Sequence, residues 1–381
     1  MQKNYFEKFL KPYAVKSINS KGRIYKEPHN SIRSPYQRDR DRIIHSSSFR
    51  RLKHKTQVFV NTEGDHYRTR LTHSMEVSQI ARTLARSLGL NEDLSETLSL
   101  AHDLGHTPFG HAGEKVLDQC MYKHGGFDHN IQTLRIVTSI EDKYYKFYGL
   151  NLTIETLEGL IKHNGPVENL IPYKAILKKD LFDKNIIFNS YPSLETQVSA
   201  ISDDIAYNNH DLQDGLRAGL FSVDKLTSIS FISEIIKKHQ KQLKNFRREI
   251  IINHIIRDLI NLMVTDVIKT TKKNLRREKP KNIKDIYKQN NNIVHFSKEA
   301  KMIDNQIKDF LKKNMYNNKK VKANTDKGKM IIRDLFKYLL NNTKKYINNK
   351  LLNKEKKERL VADFIAGMTD RYAINLHKNI K

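Results

Sequence analysis

Apolar residues recur at helical spacing along most of this chain, and period-two alternation is scarce. That pattern leaves no room for a sheet of any size and points to an all-α fold. From Met75 through Val77, Ile80, Ala81, Leu84 and Leu88 the spacing predicts one helix, stopped by Gly89. Asn91 or Asp93 can cap the next, which carries Leu98, Leu100 and Ala101 into His102-Asp103 and halts at Gly105. A third runs from Leu194 to about Asp211. A long amphipathic stretch follows, from about Ser230 to Ile268, bearing Ile235, Leu243, Phe246, Ile250, Leu259 and Met263. Residues 1 to about 35 read as an extended lead-in. The segment 270–327 is polar, rich in Lys and Asn and weakly periodic, so part of it is expected to be a mobile loop. Helical signal returns over Met330–Ile347 and Glu358–Met368, with Thr369 or Asp370 capping a last short helix through Tyr372. The expected organisation is a lead-in and substrate-site segment over 1–60, a metal-binding core over 61–222, and a basic helical region over 223–381 packed on that core.

No stretch approaches the roughly 20 apolar residues that a membrane span needs. Met1-Gln-Lys-Asn-Tyr-Phe-Glu-Lys lacks the apolar core of a signal peptide, and a cytoplasmic location is expected. The single Cys120 excludes an internal disulfide scaffold and reads as an ordinary, partly buried thiol. Lys and Arg number 69 against 42 Asp and Glu, a net charge of +27. The excess concentrates in the second half: Lys269–Gln289 holds nine basic and two acidic residues. Such a field attracts polyanions, nucleoside triphosphates and single-stranded nucleic acid alike.

The chemistry concentrates in Ala101-His-Asp-Leu-Gly-His-Thr-Pro-Phe-Gly-His111, with His73 upstream and Asp203-Asp204 downstream. Two imidazoles and two carboxylates drawn from separate helices form a mixed N/O ligand set suited to one divalent ion. Adjacent helical residues diverge by about 100°, so His102 and Asp103 share an ion only if it sits between their arcs. Walker-type and Gly-x-Ser-x-Gly signatures are both absent, which argues against P-loop and serine-hydrolase mechanisms.

Several ordered blocks carry a family resemblance. They are Tyr36-Gln-Arg-Asp-Arg-Asp-Arg-Ile-Ile-His-Ser46, Phe49–Val58, Glu63–His73, His102–His111 and Phe127-Asp-His-Asn130. Leu157–Gly165, Asp203-Asp-Ile-Ala-Tyr207 and Met368-Thr-Asp-Arg-Tyr-Ala373 complete the set. The chain resembles the deoxyguanosine triphosphate triphosphohydrolase-like family of the HD-domain superfamily, densely over about 30–215 and thinly thereafter. The resemblance implies metal ligands His73, His102, Asp103 and Asp203, with Asp204 as the alternative to Asp203. Metal identity stays open among Mn, Mg, Fe and Zn. It also implies His111 as the catalytic histidine beside the scissile phosphate, with Glu114 holding and tuning its imidazole. His106 and His129 would serve as phosphate or proton-transfer residues. Arg70 would contact the α-phosphate and Lys162 the triphosphate. Gln57 and Asp211 would hold the sugar 3′-hydroxyl, and Tyr207 would pack on the deoxyribose and exclude a 2′-hydroxyl. Asp370 and Arg371 read as a structural cap and ion pair.

The implied reaction splits a deoxynucleoside triphosphate (dNTP) into deoxynucleoside and tripolyphosphate. A dNTP activator and homo-oligomeric assembly are further expectations from the family, with no membrane partner. Two rival readings are an HD phosphohydrolase acting on other nucleotides and a basic single-stranded nucleic-acid-binding protein with a minor HD activity.

Overall fold

The computed structural model describes residues 5–57, 67–176, 186–239 and 246–380. Expectations that fall on Val58–His66 and on Leu243 lie outside these residues. Among the described residues the fold is all-α, with isolated β-bridges such as Thr56 to Thr69 and no strand.

The first half contains α1 (Pro35–Ile44), α2 (Ser47–Arg51), α3 (Arg70–Leu88), α4 (Glu92–Ala101), α5 (Gly110–Met121), α6 (His129–Arg135), α7 (Ile154–Ile161), α8 (Ile171–Ile176) and α9 (Leu194–Arg217). Local sequence sets the ends of the helices that matter most. Thr69 caps α3 by accepting from the Thr72 amide, and Gly89 ends it at φ 70°, where a Cβ would be strained. Asn91 caps α4 by accepting from the Leu94 amide. That helix closes at Ala101, so His102 is its C-cap and Asp103 lies just beyond, slightly earlier than the spacing predicts. The helix bearing Asp203 runs past the expected Asp211 to Arg217.

The second half contains α10 (Ser230–His239), α11 (Arg248–Glu278), α12 (Ile283–Tyr287), α13 (Lys298–Leu311), α14 (Lys319–Asn341), α15 (Thr343–Tyr346), α16 (Asn349–Leu352), α17 (Lys357–Ala366) and α18 (Asp370–Ile380). The stretch Ser230–Ile268 is therefore divided between α10 and α11. Segment 270–327, expected to be weakly ordered, is mostly helical. It holds the end of α11, then α12, α13 and the start of α14. A narrow buried stripe explains the difference. Ala300, Asp304, Ile307, Phe310 and Leu311 line one face of α13, while Lys and Asn fill the others and dilute the periodic signal. Thr369, not Asp370, caps α18 by accepting from the Tyr372 amide, and that helix continues to Ile380.

Three apolar cores meet around the polar centre. One joins α3, α9, α10, α11 and α13; a second joins α1, α4 and α7; a third joins α5, α14, α17 and α18. Helix α3 packs on α4 and α9, and α5 packs on α14, so the ends of α3 and α4 and the middle of α9 converge between cores. No helix among the described residues is long and apolar enough to cross a membrane.

Candidate metal centre and its surroundings

His73 sits in the first turn of α3, His102 at the end of α4 and Asp203 in the middle of α9. Their ligand atoms all lie within 4.8 Å of one another. His73 Nε2 is 2.9 Å from Asp203 Oδ1, and His102 Nε2 is 3.6 Å from the same oxygen. His102 Nδ1 donates to the Ser99 carbonyl at 2.7 Å, which turns Nε2 inward toward the carboxylates. His102 Nε2, which faces the Asp103 and Asp203 carboxylates, is buried without a hydrogen-bond partner. Uncapped buried imidazole nitrogens beside a carboxylate are the donor set of a divalent transition metal. Burial works against charge on His102, yet Asp103 and Asp203 outweigh it and raise its imidazole to about 9. The pocket thus favours positive charge.

Asp103 joins this group at its edge. Its Oδ1 lies 3.4 Å from His102 Nε2 and 3.0 Å from His106 Nδ1, while Oδ2 accepts from Arg70 Nη1 at 2.8 Å. Burial opposes its ionisation, but His102, Arg70 and His106 hold its carboxyl well below the usual range. Asp204 turns away to Lys308, 2.9 Å distant, which leaves Asp203 as the inward member of the pair.

Beside this group lies a second cluster built from the loop before α5, α5 itself and the start of α6. His106, His111 and Glu114 have ligand atoms mutually within 4.8 Å, as do Glu114, Asp128 and His129. Glu114 stays close to His111, as expected, and acts to raise its imidazole, but its hydrogen bonds go elsewhere. Its Oε1 accepts from His129 Nδ1 at 2.8 Å and from the His129 amide at 2.9 Å, because Gly105 lets α6 approach closely. A Cβ at Gly105 would collide with the His129 carbonyl. Burial depresses the His111 imidazole, with Arg70 adding to the effect. His106 is held well below its ordinary value by burial, then by Arg70 and His129. Burial also opposes charge on His129, but Glu114 raises it.

Arg70 is 1% exposed, and its Nε and Nη2 have no partner; nor does Gln57 Oε1. Gly110, next to His111, packs against the Arg70 guanidinium and the Gln57 backbone. Asp211 is fully enclosed, and burial raises its carboxyl to about 8; Tyr316 donates its hydroxyl to Asp211 Oδ2 at 2.5 Å. Burial and the neighbouring Asp211 push the half-buried Tyr207 phenol up. Lys162 is placed differently from expectation. Its amine is buried, pairs with Glu158 Oε1 at 2.7 Å, donates to Ser190 Oγ at 2.7 Å, and lies over the Tyr287 ring. These contacts tie the end of α7 to the segment before α9 and bring the amine to none of the metal-group residues.

Asp370 is more than a helix-terminal residue. Its carboxylate accepts from the Thr56 amide at 2.9 Å and the Phe109 amide at 3.1 Å. Lys55 donates to the carbonyls of His106 at 2.5 Å and Ala366 at 2.7 Å. The C-terminal block therefore clamps both loops that flank His111.

Three neighbours escaped sequence reasoning. His163 stacks on His102 with ring centroids 5.3 Å apart and lies 3.8 Å from Asp203 Oδ2. It stands in the same block as Lys162, where that proximity was the available signal. His210, one residue before Asp211, meets His73 edge-on at 6.0 Å. Tyr316 has no motif around it.

Comparison with known families bears directly on this geometry. The HD domain matches residues 70–181 and a phosphohydrolase-associated domain matches 294–379. A deoxyguanosinetriphosphate triphosphohydrolase-like protein of Pelagibacter ubique is 58% identical, covering 95% of this chain and 97% of that protein. The chain belongs to this family of HD-domain hydrolases. Proteins of the same description from Parvibaculum lavamentivorans and Bartonella henselae are 46% and 47% identical, each over 97% of this chain. In an HD-domain hydrolase the group of His73, His102 and Asp203, with Asp103 at its edge, is where a metal would be held.

Proposed function

We propose that this chain hydrolyses deoxynucleoside triphosphates to deoxynucleoside and tripolyphosphate. The observation that carries the reading is the Arg70–Asp103 pair. A buried guanidinium with two uncommitted nitrogens is fixed to a carboxylate of the metal group, so a phosphate held by one is presented to the other. His73, His102, Asp103 and Asp203 would hold a divalent ion, which when bound would supply Lewis acidity toward a phosphoryl oxygen and toward water.

The protein's own groups do the rest. Hydrolysis adds water across the bond between the α-phosphorus and the sugar 5′-oxygen. Phosphorus gains the water oxygen, and the departing 5′-oxygen takes a proton. His111, whose imidazole is depressed by burial and Arg70, suits accepting the proton of the nucleophile. His129, raised by Glu114, suits delivering one to the leaving oxygen. The buried His106 stays neutral between them and packs against the His129 ring with centroids 3.9 Å apart. Gln57 and protonated Asp211 hold the 3′-hydroxyl. Tyr207 packs on the sugar and rejects ribonucleotides by steric exclusion. Lys162 acts by bracing the segment before α9 and does not contact the triphosphate.

The test is product analysis with each dNTP and ribonucleoside triphosphate in the presence of Mn or Mg. Tripolyphosphate from dNTPs, lost in Asp103→Ala, is the expected result. Release of pyrophosphate or orthophosphate would overturn the assigned bond and move the chain to other nucleotide substrates.

A further inference from the structure

His106 is about as buried as an imidazole can be, with a side chain only 3% exposed; its Nδ1 faces Asp103 Oδ1 at 3.0 Å, and its Nε2 makes no hydrogen bond. A protein interior tolerates such a group poorly, because the desolvation of the buried Nε2 is uncompensated. It is surrounded by further ligand atoms. His111 meets it edge-on at 5.3 Å between ring centroids, and His129 lies 3.9 Å away on another side. Glu114 belongs both to the set with His106 and His111 and to the set with His129.

We propose that His106, His111, Glu114 and His129 form a second cation site, of the borderline-soft kind that takes Zn²⁺. Three imidazoles and one carboxylate match zinc chemistry better than that of Mg²⁺, which prefers oxygen and retains its water. Asp103 connects the two sites: one oxygen touches both His102 Nε2 at 3.4 Å and His106 Nδ1 at 3.0 Å. Zinc here replaces the Glu114–His129 hydrogen bond with two metal–ligand bonds. It also occupies the lone pairs of His111 and His129, the groups assigned to proton transfer. The site is therefore inhibitory, and the inference rests on the reading of the His73 group as the activating one.

The discriminating experiment is equilibrium dialysis of the full chain against Zn²⁺, with metal and protein both quantified. Circular dichroism melts accompany each variant to show that it folds. Wild type is expected to bind two ions per chain, and His129→Ala and His73→Ala one each. Glu114→Gln, a gentler change, is expected to weaken the second ion at least tenfold and provides the answer if His129→Ala fails to fold. A single ion in wild type, or unchanged zinc stoichiometry and affinity in both His129→Ala and Glu114→Gln, overturns the second site. Two ions in His73→Ala with one in His129→Ala supports the second site and instead rejects the assignment of the first.

Discussion

Arg70 Nη1 donates to Asp103 Oδ2 at 2.8 Å, so the residue assigned to phosphate binding is also a direct partner of the metal group. Arg70 is the first residue of α3, held there by the Thr69 cap, and three residues later the same helix presents His73. One helix terminus thereby fixes the distance between the proposed substrate anchor and the proposed metal ligand.

Arg70→Lys keeps the charge and loses the planar fork. Loss of two charge-assisted bonds, at about 1.5 kcal/mol each, amounts to about 3 kcal/mol or roughly a hundredfold in kcat/KM. Metal content should stay near wild type because Asp103 keeps His102 and His106 beside it. Steady-state kinetics paired with metal analysis checks both, and an unchanged kcat/KM would remove Arg70 from substrate recognition.

Asp211 gives a pH signature. Burial raises its carboxyl to about 8, against an ordinary value near 3.8. The folded value lies above the unfolded one, so its stabilising contribution is complete below about pH 4 and is lost as pH climbs through 8. Over that window wild type should lose up to about 1.4 kcal/mol per pH unit relative to Asp211→Asn, which cannot ionise but still accepts from Tyr316. Urea midpoints of both proteins between pH 5 and 8.5 measure the difference. Parallel curves would show that the carboxyl ionises normally in the fold.

Much of the site was legible because helix geometry converts sequence spacing into position. The metal group needed only three helices to meet, and the stop at Gly89 and the cap at Asn91 were visible in the sequence. Partner choice was not legible. Glu114 was matched to His111, which it does neighbour, but the approach of α6 over Gly105 also delivers His129, and that is where its hydrogen bonds go. Lys162 looked like a phosphate contact because nothing in its own block reveals Ser190, and its i−4 neighbour Glu158 was passed over. Helix α13 was obscured for a compositional reason: an outer surface of Lys and Asn hides a one-sided apolar stripe.

Lys162→Met separates a structural from a substrate role. The substitution leaves Glu158 buried, with Lys21 at 2.8 Å as its remaining cation. Because Lys21 compensates in part, the cost should be about 1–3 kcal/mol, at the lower end for breaking a buried pair. Chemical denaturation should report that loss while KM for the dNTP changes less than about threefold. A KM increase of tenfold or more with unchanged stability would return the amine to the triphosphate.

Metal binding should be visible as stability in its own right. A ligand that binds only the folded state at 100 times its Kd contributes about 2.7 kcal/mol. For this chain the binding group is drawn from α3, α4 and α9, helices that belong to two different apolar cores. An ion there joins those cores directly, so Mn²⁺ should raise the melting temperature of wild type by a few degrees and chelation should reverse it. In Asp203→Ala the carboxylate that both His73 and His102 face is gone, and the shift should vanish. Asp204→Ala is the matched control. It breaks a surface pair with Lys308, for which about 0–1 kcal/mol is expected, and should leave the Mn²⁺ shift intact. If Asp204→Ala removes the shift and Asp203→Ala does not, the inward and outward members of the pair have been assigned the wrong way round.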